Sequence, residues 1–103
     1  MIRLKKKNRE CWVLNYESIK WLKEHFEIYK EDASRIVKLD YHKFKYKNKE
    51  YTQIEIINMI IILCTELLRI MEENNYSKSG TKAEKIKNEI FDLYKLVFWV
   101  MWW

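Results

Sequence analysis

His25 and His42 are the two imidazoles of this 103-residue chain, and Cys11 and Cys64 are its two thiols. Such side chains can move a proton or attack an electrophile near neutral pH. Asp40 and His42 stand two apart, which puts both on one side of a strand and would suit an acid–base pair. No nucleophile with an oxyanion loop accompanies them. With one glycine and no proline, the chain argues against nucleophile elbows, P-loops and Rossmann dinucleotide sites. No Cys/His spacing suits zinc, so neither metal nor cofactor is expected. Cys64 falls inside an apolar run, the place of a buried free thiol. Glu72-Glu73 reads as a solvated helix end. The chain is read as non-enzymatic.

Arg35 and His42 do form an Arg-x6-His spacing over 8 of the 103 residues. That spacing resembles the motif of the HEPN ribonucleases, and the resemblance implies metal-independent RNA cleavage. That family keeps its motif within a helical bundle, whereas His42 falls here at a helix-to-strand transition.

The aromatic residues offer binding chemistry instead. Hydrophobic residues make up 49% of the chain and aromatic residues 16%, which describes a core-forming domain. Ile, Lys, Asn, Tyr and Phe supply 47 residues and Ala, Gly, Pro and Arg supply 7, which points to AT-rich coding. Low-GC bacteria and their phages code in this way. The TGG codon runs against that bias, so Trp12, Trp21, Trp99, Trp102 and Trp103 reflect physical need. The terminal run Leu96-Val97-Phe98-Trp99-Val100-Met101-Trp102-Trp103 has no polar face. Three fates are open to it: folding back as core, forming a partner or self-association surface, or dipping into a membrane interface. Trp21 and Ile28, flanked by His25 and Asp32, point away from the main stripe of the first helix. They form either a second contact surface or a broadened core face.

Charge is unevenly placed. The net charge is +5, and 16 of the 20 basic residues are Lys. Residues 1–9 hold Arg3, Lys5, Lys6, Lys7 and Arg9 with no acid. Lys38, Lys43, Lys45, Lys47 and Lys49 cluster further on. Lysines on one face of a ribbon could lie against phosphates. The competing reading is a solvated face above a core-facing aromatic row. The scarcity of Arg disfavours sequence-specific readout.

The elements that must carry these residues follow from periodicity. Residues 1–9 read as a basic arm, and residues 11–14 are open to an added N-terminal strand. Asn15 reads as an N-cap, with Leu14 and Ile19 as a hydrophobic staple. Helix 1 is expected over 16–38, with a stripe of Ile19, Leu22, Phe26, Tyr29, Ala33, Ile36 and Val37. His42, Phe44 and Tyr46 alternate with lysines, predicting a β-hairpin over 41–51 turned at Asn48-Lys49. Thr52 to Glu55 is a capping box, with Tyr51 and Ile56 as its staple. It opens helix 2 over 53–73, a helix apolar nearly all round and therefore central. Its apolar stretch nears membrane-spanning length but carries Glu55, Glu66 and Arg69. Thr81 to Glu84 reads as a second capping box for helix 3 over 82–103. That helix shows a core stripe of Ala83, Ile86, Ile90, Leu93, Val97 and Val100. A second stripe, Phe91, Phe98 and Trp102, is rotated by more than 100°.

The expected fold is one mostly α domain: a three-helix bundle of rods matched in length, with a short β-hairpin between helices 1 and 2. The expected function is that of a small interaction protein, a regulator or inhibitor of the phage or mobile-element type. An anti-CRISPR-like or other counter-defence inhibitor is the preferred form. It would dock on a larger protein, with or without nucleic acid, through Trp21, Ile28, Phe91, Phe98, Trp99, Trp102 and Trp103. The lysines would steer it. A homodimer through helix 3 would hide the second stripe. Direct nucleic-acid binding by the basic arm and hairpin is the alternative, and a membrane-associated immunity-type protein is a further one. No signal peptide is read, and the two thiols suit a cytoplasmic setting.

Overall fold

The computed structural model describes residues 2–33, 35, 42–73 and 80–100, with side chains from Asn15 onward. Its elements run α1 (Ile2–Ala33), β1 (Lys43–Tyr46), β2 (Lys49–Thr52), α2 (Gln53–Glu72) and α3 (Gly80–Val97), then a 3₁₀ turn over Phe98–Val100. The expected class, three helices with a hairpin between the first two, is the one observed.

α2 is the central helix. It packs against both α1 and α3. Ile56, Ile57, Ile60 and Cys64 are wholly buried along it. α1 contributes Ile19, Leu22, Phe26, Tyr29 and Ala33, and α3 contributes Ala83, Ile86, Ile90, Leu93 and Val97. These are the stripes expected from the three-and-four spacing, apart from Val100, which is only partly buried, and Ile36 and Val37, which lie outside the described residues. Ile62 departs from the expected burial all round, being 66% exposed on α2.

The start of α1 corrects the sequence reading. Residues 2–14 are neither a basic arm nor a strand; they are the first turns of one 32-residue helix. Asn15 is therefore no N-cap, although its Oδ1 accepts the Tyr16 N–H at 2.8 Å. No proline or glycine interrupts residues 2–33. Leu, Lys, Arg and Glu are good helix formers, and four residues of strand-like pattern at 11–14 do not outweigh them. The Tyr16 hydroxyl donates to Glu72 at 2.8 Å, and Glu72 closes α2. Residues 2–15 thus run on past the end of α2, by about 21 Å at the helical rise. The rods are not matched in length, and the molecule measures 51 × 28 × 20 Å. α1 stops at Ala33, short of 38, where the Arg35 N–H donates to the Asp32 carbonyl at 3.3 Å and tightens the chain.

The hairpin pairs Lys43 with Thr52, Phe44 with Tyr51, Lys45 with Glu50 and Tyr46 with Lys49. Its turn is Lys47-Asn48, one residue earlier than expected. Both residues have positive φ, 50° and 64°. That is the handedness a two-residue hairpin turn needs to match strand twist. Asn tolerates it; Lys47 adopts it without the help of a glycine.

The capping box of α2 forms as expected. The Glu55 N–H donates to Thr52 Oγ1 at 3.3 Å, and the Thr52 N–H donates to Glu55 Oε1 at 2.8 Å. That backbone bond, with the Thr52 hydroxyl second, holds the Glu55 carboxyl below its ordinary range. A depressed carboxyl stabilises the fold above the ordinary carboxylate range, and the contribution is lost as pH falls through its lowered value. Thr52→Ala is expected to cost about 1 kcal/mol. Urea titration should show a lower midpoint at unchanged slope and a weaker acid-side dependence. Gln53, the next residue, is buried. Its Nε2 donates to the Tyr29 hydroxyl at 3.1 Å and its N–H to the His42 carbonyl at 3.1 Å. One side chain and one amide therefore tie α1, the hairpin and α2 together.

Two expectations for α3 are corrected. The helix begins at Gly80, so Thr81 lies inside its first turn and cannot cap it. Glu84 pairs instead with Lys87 Nζ at 2.6 Å. The helix also ends at Val97 and tightens into the 3₁₀ turn rather than running to 103. Tightening of a last turn satisfies carbonyls that lack an i+4 partner.

Candidate interaction surface

The side chains left outside the core gather mainly between α1 and the end of α3. Leu22, Phe26 and Tyr29 belong to the buried stripe of α1 and form the floor of a groove there. Trp21, His25 and Ile28 form one wall, and Tyr94 and Phe98 the other; the groove volume is about 370 Å³. Trp21 and Ile28 are 55% and 54% exposed, so they do not broaden the core face. Their position follows from helical phase: each sits about 120° around α1 from the buried stripe.

The walls are ordered by ring contacts. Trp21 stacks on His25, with ring centroids 3.9 Å apart and planes 18° apart. The His25 Nδ1 lies 2.8 Å from the Trp21 carbonyl, one helical turn back. Across the groove, Phe26 meets Tyr94 edge-to-face at 5.6 Å, and Tyr94 meets Phe98 at 5.6 Å. Trp99 stands edge-to-face on Phe98 at 4.9 Å and is 71% exposed. Phe91, one helical repeat before Phe98, is also exposed on the same stripe. The groove thus joins Trp21 and Ile28 with Phe98; Trp99 adjoins it through Phe98, and Phe91 does not line it. Tyr94 and His25 complete the surface. The i, i+4 spacing of Tyr94 with Phe98 was the available signal for Tyr94. The side chain of Trp12, and Trp102 and Trp103, lie outside what the structure describes.

The surface has no charged wall. No Lys, Arg, Asp or Glu lines the groove. Three other clefts among the described residues are charged. One lies between the hairpin tip and α3 and carries Lys47, Glu84, Lys85, Glu89 and Asp92. Another, between α1 and α2, carries Glu27, Lys30 and Glu31 beside the exposed Ile62. A third carries Lys20, Lys23, Glu24, Arg69 and Glu72.

The hairpin lysines are less concentrated than their spacing suggests. Lys43 and Lys45 are exposed, while Phe44 and Tyr46 pack against the core. Lys45 faces Glu50 across the ribbon, which offsets part of its field. Lys47 turns to α3, 3.8 Å from Glu89 and 5.4 Å from the Tyr46 ring centre. Lys49 is exposed opposite Tyr46. Burial raises the Tyr46 hydroxyl above the usual phenolic range. Arg3, Lys5, Lys6 and Lys7 lie in the first turns of α1.

Among the described residues, the candidate chemical groups do not converge on a site. Arg35 pairs with Glu31 at 3.3 Å, and the His42 ring lies 6.4 Å from Phe44 at the base of the hairpin. Asp40 lies outside the described residues. Cys64 is buried, and burial pushes its thiol up to about 12, with Lys23 opposing weakly. Glu72 accepts the Tyr16 hydroxyl. Glu73 joins Arg69 at 2.9 Å, in a network that includes Glu66 and, 3.4 Å away from Glu66, Lys82. This network fastens the end of α2 to the start of α3. Among the described residues no cluster of His, Cys, Asp or Glu could hold a metal ion. No described helix is long and apolar enough to cross a membrane. Comparison with protein families, curated proteins and solved structures gives no match to this chain.

Proposed function

We propose that this chain is a small non-enzymatic interaction protein that acts in the cytoplasm by docking on a larger protein. It is read as a regulator or inhibitor of the phage or mobile-element type, anti-CRISPR-like or otherwise directed against host defence. The observation that supports docking is the uncharged aromatic groove walled by Trp21 and Phe98, with the exposed Trp99 against Phe98. Indoles and phenyl rings are the usual anchors of protein interfaces, because they bury large area at small entropic cost. Trp102 and Trp103 follow directly in sequence and extend the anchor set. Lys43, Lys45 and Lys49 would steer the approach to an acidic partner surface, free or bearing nucleic acid.

Affinity capture from a host lysate tests the reading. The wild-type chain should enrich a protein that a Trp21→Ala/Phe98→Ala variant of unchanged helicity does not, by about tenfold or more. Enrichment of nucleic acid alone, falling steeply with salt, would overturn it. That outcome would favour direct nucleic-acid binding. One observation favours this second reading: Arg3, Lys5, Lys6, Lys7 and Arg9 form an acid-free basic run on a helix that extends past α2.

A further inference from the structure

The apolar groove between α1 and α3 has an exposed indole, Trp99, next to one of its walls. The groove is concave and holds no charged side chain. Trp99 is 71% exposed and stands edge-on against Phe98, which is itself a wall of the groove. A twofold interface requires such self-complementarity, because the same patch must serve as knob and as hole. We infer that the α1/α3 face pairs with a second copy of this chain, the Trp99 of each copy seating at the groove of the other.

Three observations carry the choice of occupant. The first is area. At about 200 Å² for a large aromatic side chain, the exposed parts of Trp21, Ile28, Phe91, Phe98 and Trp99 amount to roughly 500 Å² per copy. Twofold pairing would cover on the order of 1,000 Å² from these side chains alone, the point at which specific interfaces begin. The second is charge. Two copies that each carry +5 repel, and the face with no charged lining is where they approach at least cost. The third is architecture. α1 and α3 both flank α2 and present parallel apolar rows, Trp21 with Ile28 and Phe91 with Phe98. Two such faces stacked across a twofold axis complete a four-helix layer.

The pairing uses the face proposed above for docking but does not depend on that proposal. A docking partner would have to displace the second copy, so the pair is the form of the chain before it meets its target. Sedimentation equilibrium on the full chain, from about 5 to 200 µM, provides the test. The wild-type chain should pass from monomer to dimer within that range, as suits an interface at the small end of the specific class. Trp99→Ala should weaken pairing by about tenfold or more while leaving circular dichroism and the urea midpoint unchanged. Ile62→Ser, on the opposite apolar spot, should leave pairing intact. A wild-type chain that stays monomeric throughout overturns the inference. So does a dimer indifferent to Trp99→Ala or broken by Ile62→Ser. Partner capture by a strictly monomeric chain would uphold docking and reject pairing; a dimer that captures nothing would do the reverse.

Discussion

Iodoacetamide added to the folded chain at pH 8 is expected to leave Cys64 unmodified long after the same thiol in urea has reacted fully. Cys64 lies in the middle of α2, wholly buried between α1 and α3. Burial pushes its thiol from 9.0 up to about 12. Alkylation needs the thiolate, so this shift alone removes about a thousandfold of the reactive form. Exclusion of the reagent adds to that. Peptide-resolved mass spectrometry distinguishes Cys64 from Cys11, and labelling at the unfolded rate would show that α2 is not the central helix. The shift also fixes a pH dependence. A thiol whose folded value is raised contributes fully below about pH 9, and the contribution is lost as pH rises toward 12. The alkaline side of the stability profile should flatten in Cys64→Ala.

Ile60→Ala is expected to destabilise the fold by about 2 to 5 kcal/mol. Ile60 is wholly buried one turn before Cys64, and truncation leaves a cavity that the two flanking helices can close only in part. A domain of this size is stable by only about 5 to 15 kcal/mol, so the variant should lose a large share of its urea midpoint. Ile62→Ala is the matched control. It lies two residues on in the same helix but is 66% exposed, and it should change stability by less than about 0.5 kcal/mol. Equal effects of the two substitutions would mean that the phase of α2 against its neighbours is different from the one described.

These two isoleucines also show where pattern reading stops. The run Ile60-Ile61-Ile62 is uniformly apolar, and a uniform run carries no phase. Only packing distinguishes Ile60, inside, from Ile62, outside. The α1 stripe is different. Ile19, Leu22, Phe26, Tyr29 and Ala33 alternate with charged residues, so their shared face was legible without coordinates. Thr52 and Glu55 were equally legible, because a capping box is a local hydrogen-bond pattern that needs no tertiary partner.

The extent of α1 was not legible in the same way. Asn15 is a good cap residue, and residues 11–14 are apolar enough for a strand. The helix nevertheless runs through both, since nothing in 2–33 forbids helical φ and ψ. The hairpin turn shifted by one residue for a related reason. Without glycine, several dipeptides compete, and the pairing of Phe44 with Tyr51 on the core side selects Lys47-Asn48.

By itself the sequence determined the class of fold, the order of elements, the buried stripes of α1 and α3 and the cap of α2. Each depends on neighbours within one or two turns of chain. Tertiary structure decided what faces out together. Trp21 and Phe98 are 77 positions apart, and no periodicity relates them; they share a groove because α1 and α3 both pack on α2 and meet each other at Phe26 and Tyr94. Surfaces belong to the packing of helices and not to any single one, which is why the candidate interface could be composed only from coordinates.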